Sequence, residues 1–418
     1  MQDRRLAELV HFVRERSPFY RRLYADVPAG AGLADLPIVD HAEFWRANTV
    51  HDNRLLTGPL VDGIVYKTGG TTQAPRMSVY TRAESVAVAH IWARGLATAG
   101  VRPGDRVANL FYVGEMYASF IHNLFVLQEM SVPTVHLPIG GSASPDYTAH
   151  TIEDLDATVV IGPTTTLCRL AAHAVDSGRP LPSVDLLLFA GEAFYGDQRA
   201  LLAQAFPRAR VNSLGYASID GGMLGGPVTG SADPREHRVF RPDTIMEIVD
   251  VDTGEPVTEP GRPGRVVTTD LTRRLMPVIR YPVGDMAEWV DVADHRFRLL
   301  GRADEGARVG PVTVYLDDVR GLVESVLDGL PTAGVQLVLR RREARDELLV
   351  RIAAEPSEPD VRGKALADGL DAIRPMFAEH VRDGLIQPLA VEWVPAAALD
   401  VNARTGKLIP LVDERDTR

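Results

Sequence analysis

The stretch YKTGGTTQAPRMSVYT, residues 66–81, combines residue types that suit the binding of an anion. Its centre is a run of glycines and threonines between two strand-like segments: Thr68, Gly69, Gly70, Thr71 and Thr72. Glycine lets the backbone approach a ligand, and successive N–H groups in a turn form an anion-binding nest. The stretch therefore favours a phosphate-binding loop, although an ordinary polar hairpin turn fits the same residues.

Other residues that often carry chemistry point here to structure. Cys168 is the single cysteine, which excludes a disulfide framework and a thiolate zinc cluster. Its helical spacing beside Leu167 and Leu170 predicts a small buried side chain rather than a nucleophile. The 11 histidines form no H-E-x-x-H or comparable metal set, and His136 is either a pocket residue or an ordinary core or surface histidine.

The common nucleotide motifs are absent from the sequence. It contains neither G-x-x-x-x-G-K-[ST] nor G-x-G-x-x-G, so a P-loop and a Rossmann dinucleotide site are not supported. VDVDTGEP is similar to a paired-aspartate phosphatase signature, but Thr253 follows Asp252 directly and the spacing is wrong. Asp252–Thr253–Gly254 is therefore predicted to be a hairpin turn.

Length and charge limit the classes of function. A chain of 418 residues exceeds the usual size of a single core, so two or three domains are expected. Lys+Arg 45 against Asp+Glu 56 gives a formal net charge of −11, which argues against a nucleic-acid or membrane partner. The basic cluster Arg340–Arg342 is interpreted as a strand end. The charged, amphipathic N-terminus is not a signal peptide and no apolar run spans a membrane, so a cytoplasmic location is expected.

The helices and strands that must position these residues change in pattern along the chain. Up to about residue 226, buried strands such as Leu186–Ala190 alternate with helices such as Ser85–Ala99 and Ala118–Glu129, which predicts an α/β architecture. Residues 238–300 look rich in strands. Beyond them a small α+β unit is predicted, with the helices and strands Asp317–Leu327, Gly334–Leu339, Glu347–Ala353, Asp360–Val381 and Leu389–Val394.

Five segments occur in the order and spacing of adenylate-forming enzymes. YKTGGTTQAP resembles their phosphate loop, and LLLFAGEAF resembles their adenine-side strand and loop. RYPVGDM resembles the Tyr-x-x-Gly-Asp segment that holds ribose, GRAD the hinge, and RTGK the loop of the catalytic lysine. SPFYRRLY and the chain length resemble the phenylacetate–CoA ligase branch. The resemblance covers essentially the whole chain and implies a two-domain α/β fold with mixed sheets.

That resemblance implies domains, an ATP site and Mg²⁺. A large adenylation domain of mixed sheets and packed helices would span residues 1–302. A small, mobile α+β domain would span 303–418, with Asp304 as hinge and Lys407 as catalytic residue. The phosphates would contact the run at 68–72 named above. Adenine and ribose would contact the following residues: Gly191, Glu192, Ala193 and Asn212 for adenine, Asp285 and Arg302 for ribose.

The acid pocket and the metal site are the less regular parts. Pocket candidates from the resemblance are Phe111, Tyr112, Gly114, Gly215 and Tyr216, although the first three also fit a plain core strand. Relatives carry a metal-binding glutamate where this chain has Ser218 in SLGYASIDGG. Asp220 could supply the missing carboxylate or could merely cap the turn.

Two further departures bear on the reaction. The phosphate loop has Gly69 and Gln73 where relatives usually have serine and glycine, a change that still allows nucleotide binding. Past the hinge, Gly310–Pro311 replaces an Arg-Gly pair that lines the pantetheine tunnel of relatives. Proline fixes φ and removes an amide, so the use of CoA is in doubt.

Three functions follow from the resemblance. The leading hypothesis is ATP-dependent activation of a small aromatic carboxylic acid as acyl-AMP, with CoA, a carrier-protein thiol or an amine as acceptor. The second is a diazotase that activates nitrite with ATP and diazotises an aromatic amine. The third is a degenerate paralogue that only binds nucleotide or acid. A homodimer is expected from relatives.

Overall fold

The computed structural model describes residues 1–67, 76–302 and 306–415. The helices in chain order are α1 Gln2–Arg16, α2 Pro18–Leu23, α3 His41–Ala47, α4 Arg82–Ala99, α5 Ser119–Gln128, α6 Pro145–Asp154, α7 Thr164–Asp176, α8 Arg199–Ala205, α9 Leu316–Leu327, α10 Pro359–Ile373 and α11 Pro375–Arg382. Short 3₁₀ turns lie at Leu33–Asp35, Gly196–Gln198 and Ala396–Ala398.

The strands complete the element order. They are β1 Ile64–Lys67, β2 Met77–Tyr80, β3 Arg106–Asn109, β4 Val135–Leu137, β5 Val159–Gly162, β6 Leu186–Phe189, β7 Arg210–Ser213, β8 Tyr216–Ser218, β9 Gly222–Pro227, β10 Glu236–Val239, β11 Thr244–Val249, β12 Pro263–Asp270, β13 Val278–Asp291, β14 Arg296–Arg302, β15 Gly306–Val309, β16 Val312–Tyr315, β17 Val335–Arg342, β18 Arg345–Ile352, β19 Ala390–Trp393 and β20 Leu411–Asp413. Strands and helices alternate through the first half, which confirms the predicted α/β architecture.

The chain forms two compact units, and each unit is built from two stretches. Unit 1 comprises residues 1–140 and 211–302, and unit 2 comprises residues 141–210 with the described residues after Arg302. One boundary between the units coincides with the predicted division at residue 302. Residues 141–210 pack with the C-terminal stretch, so the domain assignment 1–302 and 303–418 stays a prediction.

Unit 1 is dominated by an antiparallel sheet of strand order β11-β12-β13-β14-β10-β9-β8. The long strand β13 pairs with both β12 and β14, and this register sets Asp285 opposite Arg302. Strand β1 pairs with β2 in antiparallel register, and the segment that joins them lies outside the described residues. The sheet thus carries the ribose-binding candidates on neighbouring strands.

The apolar sides of the unit 1 helices form its core. The predicted stripe of α1 is buried, namely Leu6, Leu9, Val10 and Val13, and it packs in one cluster with Tyr20, Phe44 and Tyr281. Helix α4 begins in a capping box: Thr81 Oγ1 accepts from the amide of Glu84, whose carboxylate accepts from the amide of Thr81. The cap begins α4 at Arg82, before the predicted start at Ser85, and the buried stripe explains how α1 packs.

Unit 2 combines the parallel pair β5–β6 with a sheet of order β19-β18-β17-β20. Strands β5 and β6 are buried throughout, as parallel strands covered by helices require. Strands β15 and β16 form a hairpin whose two-residue turn is Gly310–Pro311. Helices α9 and α10 pack with the β17–β18 ribbon around a core of residues after Ala307.

Several smaller predictions can be compared with these elements. Cys168 is buried, Arg340–Arg342 ends β17, and Asp252 and Thr253 lie in a turn, so those three predictions are confirmed. The single helix predicted over Asp360–Val381 is wrong, because the chain leaves the helix at Arg374, with φ −129° and ψ 71°. The following Pro375 disfavours the helical region for Arg374 and begins α11. No helix in the described part of the chain is long and apolar enough to cross a membrane.

Candidate active site

Two predicted parts of the site lie outside the described residues. These are the phosphate loop, with Thr68, Gly69, Gly70, Thr71 and Thr72, and the hinge residue Asp304. Strands β1 and β2 bracket the phosphate loop in register Lys67 with Met77. The remaining candidates fall into a group in unit 1 and a group in unit 2, and their roles are treated as proposals below.

The first group in unit 1 is built around Asp285 on β13. Tyr216 Oη donates a hydrogen bond of 2.6 Å to Asp285 Oδ2. Burial, and then the charge of Asp285, raise the pKa of Tyr216, so the phenol stays protonated and donates. A Cβ on Gly284 would lie 3.2 Å from the Arg302 guanidinium, so glycine leaves room beside that side chain. The result is a half-buried carboxylate between a neutral donor and a cation.

The backbone before Tyr216 is held by a relay of hydrogen bonds. The amide of Gly215 donates to Ser213 Oγ at 3.0 Å, and Ser213 lies 2.9 Å from His237 Nε2. His237 Nδ1 lies 2.8 Å from the carbonyl of Arg235, which places the ring proton on Nδ1 and makes Nε2 an acceptor. Burial lowers the pKa of His237 to about 4, so the ring is neutral near pH 7.

Gly215 itself is required by space and by backbone conformation. Its φ is +138°, and a Cβ there would lie 2.8 Å from Trp92 Cη2. The Trp92 ring therefore packs directly on the glycine that sequence analysis places in the acid pocket. The Trp92 indole N–H is buried and has no hydrogen-bond partner among the described residues.

The other pocket candidates lie on the segment after β3. Phe111 is buried, and its amide donates to Asn109 Oδ1 at 3.1 Å. The carbonyl of Tyr112 accepts from the amide of Phe120, while Gly114 has a φ of +112° and is exposed. The segment is irregular and not a strand, so the plain core-strand interpretation of these residues is wrong.

Asn212, the adenine candidate of unit 1, serves the local backbone. Its Oδ1 accepts from the amide of Ser213 at 2.8 Å, and its Nδ2 lies 3.4 Å from the carbonyl of Ala99. It thus fixes the end of β7 against the end of α4. The nucleotide role of Asn212 remains a prediction.

Ser218 and Asp220, the tentative metal pair, are close together but engaged. Ser218 Oγ donates to Asp220 Oδ1 at 2.6 Å, and Tyr281 Oη donates to Asp220 Oδ2 at 2.8 Å. The amide of Gly221 also lies 3.1 Å from Asp220 Oδ1. Over the described residues, no group of three or more His, Cys, Asp or Glu could hold a metal ion. This geometry supports the turn-capping alternative for Asp220.

The group in unit 2 brings together two segments that are far apart in sequence. A Cβ on Gly191, whose φ is +82°, would lie 2.8 Å from Lys407 Cε and 2.9 Å from Lys407 Nζ. The lysine side chain therefore lies against a position where only glycine leaves space. Sequence analysis assigns these two residues to one site, and unit 2 places them in contact.

Glu192 joins the same group through its carboxylate. It accepts from the amide of Thr165 at 2.9 Å, from Thr165 Oγ1 at 2.8 Å and from the amide of Leu408 at 2.6 Å. Burial raises the pKa of Glu192, while the bonds from Thr165 and Leu408 and the nearby Lys407 act in the opposite direction. Ala193, the last adenine candidate, is exposed on the loop that follows.

Sequence reasoning missed Thr165, His237 and Trp92. The threonine run 164–166 directly after a buried strand was the available signal for Thr165, since helix N-terminal amides bind carboxylates. His237 and Trp92 gave no signal, because their partners lie 24 and 123 positions away in the sequence.

Known proteins with similar sequences match nearly the whole chain. No family model matches it. It is 27% identical over 439 residues to the phenylacetate-coenzyme A ligase of Thermus thermophilus, which covers 99% of this chain and 96% of that protein. It is 24% identical to the phenylacetate-coenzyme A ligase of Pseudomonas putida over 78% of this chain and 72% of that protein.

Solved structures share the fold. A 2-hydroxyisobutyryl-CoA ligase in complex with 2-HIB-AMP matches with a TM-score of 0.75 and 22% identity, over 99% of this chain and 88% of that one. An anthranilate CoA ligase in complex with anthranoyl-AMP matches with a TM-score of 0.57 and 20% identity, over 82% and 64% of the two chains.

Proposed function

We propose that the chain is an ATP-dependent, AMP-forming ligase similar to the phenylacetate–CoA ligases of the adenylate-forming superfamily, and that it activates a small aromatic carboxylic acid as acyl-AMP. A carboxylate oxygen of the acid attacks the α-phosphorus of ATP, and pyrophosphate leaves with the bonding electrons. The contact of Lys407 with Gly191 carries this proposal, because it sets a cation on the loop assigned to adenine.

Lys407 contributes by electrostatics. Negative charge grows on the oxygens around the α-phosphorus as the new bond forms, and a preorganised cation stabilises that charge. Gly191 lets the ammonium lie close to the loop backbone, whereas any larger residue would displace it. Lys407 is therefore the proposed catalytic residue, and Gly191, Glu192, Ala193 and Asn212 are the proposed adenine contacts.

Asp285 would hold the ribose. A carboxylate has only acceptors, so it can take a hydrogen bond from each ribose hydroxyl. The neutral Tyr216 occupies one lone pair of Asp285 Oδ2 and orients the group, and Arg302 faces it across the strand pair. The proposed phosphate contacts are Thr68, Gly69, Gly70, Thr71 and Thr72.

The described residues do not build a protein cage for Mg²⁺. The Asp220 carboxylate already accepts from Ser218, Tyr281 and Gly221, so binding a metal would cost it hydrogen bonds. Mg²⁺ usually keeps several waters and binds to substrate phosphates through few protein ligands. We therefore assign Mg²⁺ no step, and Ser218 and Asp220 are the residues that would supply its protein ligands.

An aromatic acid is favoured by the residues beside Gly215. The Trp92 ring lies on that glycine, and Phe111 and Tyr112 belong to the irregular segment after β3. The candidate pocket residues thus include aromatic side chains, which pack favourably against an aromatic ring. The acceptor of the acyl group is CoA, a carrier-protein thiol or an amine, and the product identifies it.

The test is release of AMP from ATP over a panel of aromatic acids, each with CoA, without CoA, and with nitrite plus an arylamine. AMP that depends on an aromatic acid is the expected result, and mass spectrometry of the product shows whether a thioester forms. The variant K407A should lower kcat for AMP release by about 100- to 1,000-fold, in line with loss of one transition-state contact.

Other outcomes separate the alternatives. AMP release that requires nitrite and an arylamine would replace acid activation by the diazotase reaction. Absence of AMP under every condition would favour the degenerate paralogue that binds nucleotide without turnover. Equal activity of wild type and K407A would overturn the assignment of Lys407.

A further inference from the structure

Glu192 makes contacts that an adenine-side residue does not need. Its carboxylate accepts three hydrogen bonds, from the amide and the hydroxyl of Thr165 and from the amide of Leu408. Thr165 is the second residue of α7, so the carboxylate also lies at the positive end of a helix. These bonds fix the carboxylate within unit 2.

The third donor links Glu192 to the catalytic segment. Leu408 directly follows Lys407, and its amide lies 2.6 Å from Glu192 Oε1. A charge-assisted hydrogen bond of this length is roughly twice as strong as a neutral one. Holding the amide of Leu408 fixes the backbone from which the Lys407 side chain extends.

The segment around Lys407 is a closed turn, and the amide of Leu408 ties it to Glu192 at 2.6 Å and to Thr165 Oγ1 at 3.2 Å. The amide of Asn402 donates to the carbonyl of Lys407 at 2.8 Å, and the amide of Gly406 donates to the carbonyl of Asn402 at 2.7 Å. Val401 bridges to Leu408 across the turn. Rotation of this turn as a block would move Lys407, and the bond from Leu408 to Glu192 opposes that rotation.

We propose that Glu192 is a positioning residue for Lys407, which holds the turn 402–408 so that the lysine lies against Gly191. The inference rests on the proposed function, in which Lys407 stabilises charge at the α-phosphorus. Glu192 and Gly191 then form a two-point support: the glycine leaves room for the side chain, and the glutamate fixes its backbone.

Glutamine at position 192 separates this role from simple packing. It has the same shape, but one oxygen is replaced by an NH₂ group that only donates. Because all three partners donate to Glu192, the NH₂ group would face a donor, and the amide of either Thr165 or Leu408 would lose its bond to residue 192. The fold keeps its packing while the anchor weakens.

The kinetic test is a double-mutant cycle on AMP release with E192Q and K407A. E192Q should lower kcat about 10-fold and change KM for ATP less than 2-fold. In the K407A background E192Q should have almost no further effect, because the residue it positions is absent. T165V removes a hydroxyl that donates to the carboxylate and lies 3.2 Å from the amide of Leu408, so it should also lower kcat with the same unchanged KM.

Y195F is the matched control. Tyr195 Oη donates to Asp317 Oδ1 at 3.2 Å, so Y195F also removes a hydrogen bond between the 191–198 segment and the C-terminal stretch. It leaves Glu192, Thr165 and Leu408 intact, and its kcat should match wild type. A rise in KM for ATP with unchanged kcat in E192Q would overturn the inference and assign Glu192 to adenine. Equal losses in both backgrounds would also overturn it.

A readout without turnover tests the positioning of Lys407 separately from the proposed reaction. The rate at which Lys407 is acetylated by acetic anhydride, followed by mass spectrometry, reports the environment of its ammonium group. E192Q should change that rate at least 3-fold, whereas Y195F should not. If the rate is the same in all three proteins, Glu192 does not position Lys407. If wild type releases no AMP but E192Q shifts the labelling, only the proposed function fails.

Discussion

At the level of single residues, a chain of hydrogen bonds between neutral buried groups fixes the backbone beside Asp285. His237 accepts from Ser213, which in turn accepts from the amide of Gly215, and the next residue, Tyr216, donates to Asp285. Each member must keep one protonation state for the relay to close. The relay therefore links the pH of the solution to the geometry of the proposed ribose site.

The relay predicts a loss of stability in mild acid. The folded chain protonates His237 at about 4, against 6.5 for an unperturbed histidine, so the unfolded chain binds more protons between these values. The free energy of unfolding should therefore fall as the pH falls from 6.5 to 4, by about 3 kcal/mol from this residue, at 1.36 kcal/mol per pKa unit. Urea unfolding of wild type and H237Q over this range measures it.

The variant H237Q should show a shallower pH dependence, although His122, whose pKa burial also lowers to about 4, keeps part of the slope. The exposed His11, replaced by glutamine, is the control and should leave the slope unchanged. A slope in H237Q identical to that of wild type would mean that His237 is not a source of the acid sensitivity.

Some residues of the candidate site can be predicted from short sequence motifs, and others cannot. Lys407, Asp285 and Gly191 belong to short motifs, so the sequence alone suffices to propose them, and unit 2 places Lys407 on Gly191. Thr165 and His237 act through partners distant along the chain, and no local pattern encodes such a contact. The bond from Tyr281 to Asp220 joins residues 61 positions apart, so sequence spacing does not give it.

At the level of elements, the β15–β16 hairpin explains why the chain has Gly310–Pro311 where relatives have an Arg-Gly pair. Val309 pairs with Val312, so glycine and proline are the two central residues of the turn. Gly310 has a φ of +55°, and proline holds φ near about −65°. Positive φ at the first central residue and negative φ at the second match a type II′ turn, which suits antiparallel strands.

This turn predicts opposite tolerance at two adjacent positions. Alanine at position 310 would keep the positive φ, and its Cβ would lie 2.9 Å from Ile386 Cγ2. G310A should therefore lower the free energy of unfolding by about 1–3 kcal/mol, as strained backbone does. P311A keeps an accessible negative φ and should cost less than about 1 kcal/mol. Urea unfolding checks both. Equal costs at the two positions would exclude the type II′ assignment.

Elements with a strong periodic pattern are predictable here, and their interruptions are not. The buried stripe of α1 has the residues expected from its spacing, because amphipathic helices bury one face. The helix predicted over 360–381 fails at Pro375, since a local steric effect overrides an apolar pattern that continues through both α10 and α11.

At the scale of the whole molecule, the C-terminal stretch of unit 2 has an apolar core of its own. The apolar core of the C-terminal stretch is built from residues between Ala307 and Leu411. Polar contacts join it to residues 141–210: Glu192 accepts from Leu408, and Arg320 lies 3.3 Å from the buried Asp197. The Arg320 guanidinium also lies 3.9 Å from the centre of the Tyr195 ring.

This division predicts that residues 303–418 fold alone and that Arg320 matters only in the full chain. In the full chain, R320A would leave Asp197 buried without its cation, which should cost about 3–5 kcal/mol. In the isolated fragment Asp197 and Tyr195 are absent, so R320A should cost less than about 1 kcal/mol, as exposed charges do. V323A, in the fragment's own core, should destabilise both proteins alike. Urea unfolding followed by circular dichroism measures the four variants. A fragment without a cooperative transition would mean that the C-terminal stretch needs residues 141–210 to fold, and the predicted domain 303–418 would have to be extended to include them.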